Sequence, residues 1–197
     1  MSKTIEKRAF QTTEIEVRED GEKRTIAGYA AKFNLLSEDL GFFREKIKPG
    51  AFASSISGDI RALWSHNTDL VLGRTRNNTL RLQEDSEGLF FELDLPDTQL
   101  GRDTFTTIKR GDVSGMSFGF MVRKDSWERG TNGAPDIRTL EDVELFEVSP
   151  TAFPAYPQTD VSARSLEEVR AEGLRKLSES EKVLSLDHYK RKLRTRA

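Results

Sequence analysis

Two histidines, His66 and His188, and no cysteine leave this chain few ways to do acid–base chemistry at neutral pH. His66 follows Ile60–Ser65 (IRALWS), an alternating segment that reads as a strand, and precedes a polar Asn67-Thr68-Asp69 run. That places an imidazole where a scaffold meets a loop, a common position for a site. Ser117 lies in Val113–Val122 (VSGMSFGFMV), where Met116, Phe118, Phe120 and Val122 alternate. Ser117 then shares the opposite face with Gly115 and Gly119. A serine hydroxyl becomes a nucleophile when a base takes its proton, and missing Cβ atoms beside it would admit a peptide carbonyl. Ser114 is the competing hydroxyl, facing the other way. Glu147 lies in Arg138–Val148 (RTLEDVELFEV). Simple alternation puts it on the inward face with Val143 and Leu145, and a partly buried carboxylate needs a partner such as an imidazole N–H. Glu144 and Asp142 are the alternatives, on the opposite face. Each residue also has an ordinary reading: a surface histidine, glycines marking a bulge or tight corner, an exposed edge glutamate.

Other chemistries find less support. There is no G-x-S-x-G elbow and no phosphate loop G-x-x-x-x-G-K. Without cysteine, disulfides, thiolate nucleophiles and zinc–cysteine sites are excluded, so only an all-carboxylate site for a hard ion could form. Asp94, Asp97 and Asp103 are near each other but read as turn residues and a helix cap. Glu92 and Asp94 share a strand face, a carboxylate pair with nothing nearby to bind sugar. No metal or organic cofactor is expected.

The elements that must position these groups follow from punctuation and periodicity. Thr25–Phe33 reads as a strand, Asn34–Leu40 as a turn, and Pro49-Gly50 as a turn followed by a short helix through Phe52 and Ile56. Leu70–Arg74 is another strand. Thr79–Gln83 and Leu89–Leu95 flank a Gly-containing turn and form a hairpin. Asp97-Thr98 caps a helix running to about Arg110, with Gly111 as its stop and Leu100, Phe105 and Ile108 as its buried stripe. Lys124–Pro135 reads as a loop. Ser149–Thr159, with three prolines, should not continue a sheet interior. From Arg164 the chain reads as a charged helix, opened by the capping box Ser165-Leu166-Glu167-Glu168 and closed by a basic cluster. The expected fold is α+β and β-rich: a small, partly open β-barrel or sandwich surrounded by a few helices, with a helical C-terminal tail. With 197 residues, 36% hydrophobic and 32% charged, one core plus a tail is what the chain can build. A formal charge of −2 supplies no global field for nucleic acid or an anionic membrane. No apolar run approaches the roughly 20 residues of a membrane span, and the N-terminus lacks the apolar stretch of a secretory signal. A soluble, intracellular protein is expected.

Five segments, in order, resemble the prohead proteases of tailed bacteriophages. They are Gly28-Tyr29-Ala30 with Phe33; Ile47-Lys48-Pro49-Gly50-Ala51-Phe52; Ser65-His66-Asn67 with Leu72-Gly73-Arg74; Arg110 through Phe120; and Leu145-Phe146-Glu147-Val148-Ser149-Pro150 with Pro154-Ala155-Tyr156-Pro157. The family is similar to the herpesvirus assemblins, serine proteases on a β-barrel whose triad is Ser, His and a second His. The resemblance implies a division into an N-terminal segment 1–24, a catalytic domain 25–163 and a charged tail 164–197 that serves self-processing and targeting. It implies His66 as base and Ser117, in Met-Ser-Phe-Gly-Phe, as nucleophile in preference to Ser114. His188 lies outside the matched region, so an acidic third member is expected. Glu147 stands in the Leu-x-Glu-Val-Ser segment, with Glu144 as alternative. No arginine pair follows Glu147, which leaves backbone N–H groups near Ser117 or Gly119 as the expected oxyanion donors. The implied substrates are the scaffolding region of the major capsid protein, other prohead components such as the portal, and the chain itself, inside the prohead in the host cytoplasm. A non-catalytic scaffold-binding module is the alternative.

Overall fold

The computed structural model describes residues 4–11, 15–41, 43–131 and 133–152. Among these residues ten strands and one α-helix succeed one another: β1 (Glu6–Gln11), β2 (Glu16–Asp20), β3 (Lys23–Lys32), β4 (Phe43–Ile47), β5 (Arg61–Trp64), β6 (Asn67–Arg74), β7 (Leu80–Glu84), β8 (Gly88–Leu95), α1 (Gln99–Lys109), β9 (Gly115–Glu128) and β10 (Asp136–Thr151). A 3-10 turn spans Thr75–Asn77.

Among the described residues the strands form two sheets, one mixed and one antiparallel, and no closed barrel. The larger has the order β1-β9-β10-β5-β6, with β4 also paired to β10. The smaller has the order β2-β3-β8-β7. Apolar side chains of both sheets, of α1 and of the turns between β4 and β5 meet in one core, including Ile26, Phe52, Phe91, Phe118, Phe120 and Val148. Phe52 crosses it, with its ring 5.3 Å from Phe118 and 6.3 Å from Phe33. The expected barrel is thus an open pair of sheets, and the expected surrounding helices reduce to one among the described residues. The fold closes its core with long antiparallel partners rather than by joining sheet edges.

Most strands lie where alternation places them, and the β7–β8 hairpin and α1 agree with their turn and cap signals. Thr98 caps α1, its hydroxyl accepting the Gly101 N–H at 3.2 Å. Gly111, just beyond the helix, has φ +81°, a left-handed conformation that glycine adopts without strain.

Three expectations are corrected and three strands are added. The segment after Pro49-Gly50 is a succession of turns, not a helix. Charged strands β1, β2 and β4 carry too few apolar residues to be read from alternation, yet all three pair into the sheets. Lys124–Glu128 continues β9, because β10 supplies it a partner strand from Asp136 onward. Finally, β10 continues through Pro150. The Pro150 carbonyl accepts the Ser65 N–H at 3.1 Å, so its donor-less nitrogen faces the β5–β6 turn and the ladder with β9 loses nothing. The tail expected from Arg164, with His188 and the Pro154–Pro157 segment, lies outside the described residues. Among the described residues no helix is long and apolar enough to cross a membrane.

Candidate active site

His66 occupies the apex of the β5–β6 hairpin. Trp64 pairs with Asn67, so Ser65 and His66 form a two-residue turn. Their φ values are +51° and +63°. Two successive left-handed residues are what a type I′ turn demands, usually from Asn-Gly. Here a serine and a histidine adopt it, at a cost of order 1–3 kcal/mol each that the surroundings must offset. Two hydrogen bonds from β10 do so. Pro150 O accepts the Ser65 N–H, and Ser149 Oγ accepts the His66 N–H at 3.1 Å. The strand expected to end in His66 is therefore a hairpin that turns on it.

Glu147 reaches this turn because β10 is bulged. Leu145 pairs with Phe120 and Glu147 with Gly119, so β10 spends two residues where β9 spends one. Phe146 is the extra residue. The bulge reverses the alternation: Leu145 and Val148 both enter the core, while Glu147 and Ser149 point to the other face. The expectation that Glu147 shares the inward face of Leu145 is corrected on this ground. Glu147 remains buried, 8% exposed, because His66 and Ser149 cover it. Glu147 Oε1 lies 2.5 Å from His66 Nδ1, and Glu147 Oε2 accepts the Ser149 hydroxyl at 2.6 Å. Both carboxylate oxygens are thereby occupied.

Gly119 makes this possible. A Cβ built there would collide with Glu147 Oε1 and stand 3.1 Å from Glu147 Cγ and Cδ. The absent side chain makes room for the carboxylate, not for a substrate carbonyl as the sequence suggests.

Ser117 sits directly across from Ser149 in the β9–β10 ladder, on the face shared by Gly119. It is 1% exposed, and its hydroxyl donates to the Arg8 carbonyl of β1 at 2.8 Å. The structure thus joins His66 to Glu147 directly and sets Ser117 two ladder pairs from Glu147, opposite Ser149. Ser114 is exposed, in the link between α1 and β9. Glu144 pairs with Met121 and meets Arg123 at 3.4 Å, away from the imidazole. Asp142 accepts the Ser54 hydroxyl at 2.5 Å.

The remaining carboxylates are engaged elsewhere. Arg81 bonds Glu92 and Asp94 together, and with Thr25 it pulls the Asp94 carboxyl down to about 2, despite partial burial. Asp97 pairs with Arg102, and Asp103 accepts from Gln99. No group of three or more His, Asp or Glu side chains gathers as a metal site among the described residues.

Sequence reasoning missed Ser149 and Arg8. The first had a signal: Glu147 and Ser149 are two apart, hence on one strand face. The second had none, since its contribution is a backbone carbonyl delivered by strand pairing.

Residues 11–172 match the family model described as caudovirus prohead serine protease. The chain is 30% identical over 169 residues to the prohead protease of Enterobacteria phage HK97, covering 83% of this chain and 70% of that one. In fold it is similar to the bacteriophage T4 capsid assembly protease gp21, with a TM-score of 0.51 and 9% identity over 74% of this chain and 96% of that one.

Proposed function

Because this chain belongs to the caudovirus prohead serine protease family, we propose that it is a serine endopeptidase that trims proteins of the assembling capsid from within the prohead. The observation that carries the reading is the 2.5 Å contact between His66 Nδ1 and the buried Glu147 carboxylate. Such a carboxylate fixes the ring's orientation and tautomer and stabilises the imidazolium that forms when the ring takes a proton. With Nδ1 held, Nε2 is the nitrogen free to act.

In this mechanism Ser117 turns its hydroxyl from Arg8 to His66 and attacks a peptide carbonyl. His66 takes the hydroxyl proton and returns it to the leaving amine. Water, activated by the same ring, hydrolyses the acyl-enzyme. Backbone N–H groups of β9 serve the tetrahedral oxyanion. The chemistry needs no metal or organic cofactor. The substrates are the scaffolding region of the major capsid protein, other prohead components such as the portal, and the chain itself, whose residues 164–197 form the self-processing and targeting segment.

Co-expression with the cognate capsid protein tests this. The wild-type chain should trim it, and Ser117→Ala should leave it full length. Trimming by Ser117→Ala would remove Ser117 as nucleophile and turn attention to Ser114. One observation favours a second reading, a non-catalytic scaffold-binding module: Ser117 is closed to solvent and bonded to β1. A fluorophosphonate probe separates the two, since a module without an activated serine would not be labelled.

A further inference from the structure

We infer that Ser149 is a positioning residue that locks His66 and Glu147 to each other. Its hydroxyl does two things at once. It donates to Glu147 Oε2 at 2.6 Å and accepts the His66 backbone N–H at 3.1 Å. It is fully buried, so no solvent replaces either bond. One group therefore fixes the carboxylate that holds the ring and the strained turn that carries the ring. Without it the His66 N–H loses its acceptor, the left-handed turn loses a restraint, and the carboxylate can rotate off Nδ1. The effect on cleavage rests on the protease reading; the effect on the ring does not.

The near-isosteric pair Ser149→Thr and Ser149→Val tests this, with Ser149→Ala beside them. Two readouts are needed. The first uses a Ser117→Ala background, which stops self-cleavage. There the low-field proton resonance of His66 Nδ1–H should be present with the native Ser149 and with Ser149→Thr, and lost or moved upfield with Ser149→Val and Ser149→Ala. In the active chain, Ser149→Val and Ser149→Ala should lower kcat by about 10²-fold with KM little changed, and Ser149→Thr should retain most of the rate. An unmoved resonance in Ser149→Val and Ser149→Ala overturns the inference. A moved resonance with no cleavage by any variant, wild type included, leaves Ser149's role intact and removes the protease reading instead.

The Ser117–Arg8 contact carries a second inference independently: β1 is a displaceable strap that keeps the serine latent. β1 runs antiparallel to β9 from Glu6↔Phe120 to Gln11↔Gly115, so it fills the strand edge at Ser117, and Arg8 O holds the hydroxyl. An ion cluster latches it. Arg8 reaches Glu45 of β4 at 2.8 Å and Glu6 at 2.6 Å, and Arg138 of β10 reaches Glu6 at 2.9 Å, Glu45 at 3.2 Å and Asp125 at 2.7 Å. An extended peptide added at that edge would need β1 to leave.

In the full chain, Glu6→Gln/Glu45→Gln should speed amide exchange in β1 and raise the fluorophosphonate labelling rate of Ser117 at least tenfold. A synthetic Glu6–Gln11 peptide should slow it again. Should the double variant unfold, Glu6→Gln alone, at the cluster's rim, serves. Unchanged β1 exchange overturns the latch, and unchanged labelling with faster exchange overturns the strap. Labelling absent at every exchange rate removes the serine reading itself.

Discussion

The two faces of β9 are built on opposite rules. One presents Met116, Phe118 and Phe120, all at most 1% exposed, to a core of aromatic and aliphatic partners. The other presents Ser117 and Gly119, equally inaccessible, to Glu147, Ser149 and the Arg8 carbonyl. Burying the first face stabilises the fold in proportion to apolar area, about 1.5–3 kcal/mol for each large side chain. Burying the second gains little, because carboxylate and hydroxyl must be desolvated and are offset only by the hydrogen bonds they make to each other. The inner face tolerates changes that conserve volume; the outer face should tolerate only changes that conserve donors, acceptors and empty space.

The largest expected departure between the faces comes from Glu147→Gln. It keeps the shape and withdraws the charge, so cleavage should fall roughly 10⁴-fold while thermal unfolding stays near wild type. A fall in both would mean the outer face holds the fold as well. Phe118→Ala should do the reverse. Loss of a ring buried against Phe52 and Phe120 should cost about 3–5 kcal/mol in denaturant unfolding, with kcat of the folded fraction nearly unchanged. Gly119→Ala joins the two: a single methyl on the polar face must push the Glu147 carboxylate off His66. A rate loss of about 10²-fold is expected, with a modest loss of stability. Wild-type cleavage by this variant would mean the carboxylate has another place to stand. Glu144→Gln should change little, within about threefold in rate and 0.5 kcal/mol in stability, since its partner is a half-exposed Arg123.

The same contrast explains what can be read in advance. The inner face of β9 is legible because a period of two with large apolar residues has one interpretation in a sheet. The strand β5 is legible for the same reason, β7 and β8 from the Gly-containing turn between them, and α1 because Thr98 and Gly111 mark its ends. The outer face is not, because serine and glycine fit a packed corner, a bulge or a site equally well. Residue types point to candidate members of a site but not to their contacts. Alternation puts Glu147 beside Leu145, and one inserted residue, Phe146, reverses it. Spacing suggests that Gly119 makes room for a ligand; it makes room instead for a side chain 28 positions later in the chain, the separation between Gly119 and Glu147.

The order of residues alone, then, settles the chemistry on offer: two imidazoles, no thiol, a serine among glycines, and a glutamate two before a serine. These are properties of side chains and of local periodicity, which neighbours in the chain impose. Pairing of distant segments settles the rest: that the histidine turns through two left-handed residues, that a bulge aims the glutamate at it, and that an N-terminal strand holds the serine. Those outcomes depend on which strands pair and in what register. Register is set by the sum of contacts across two sheets, and no short segment encodes it.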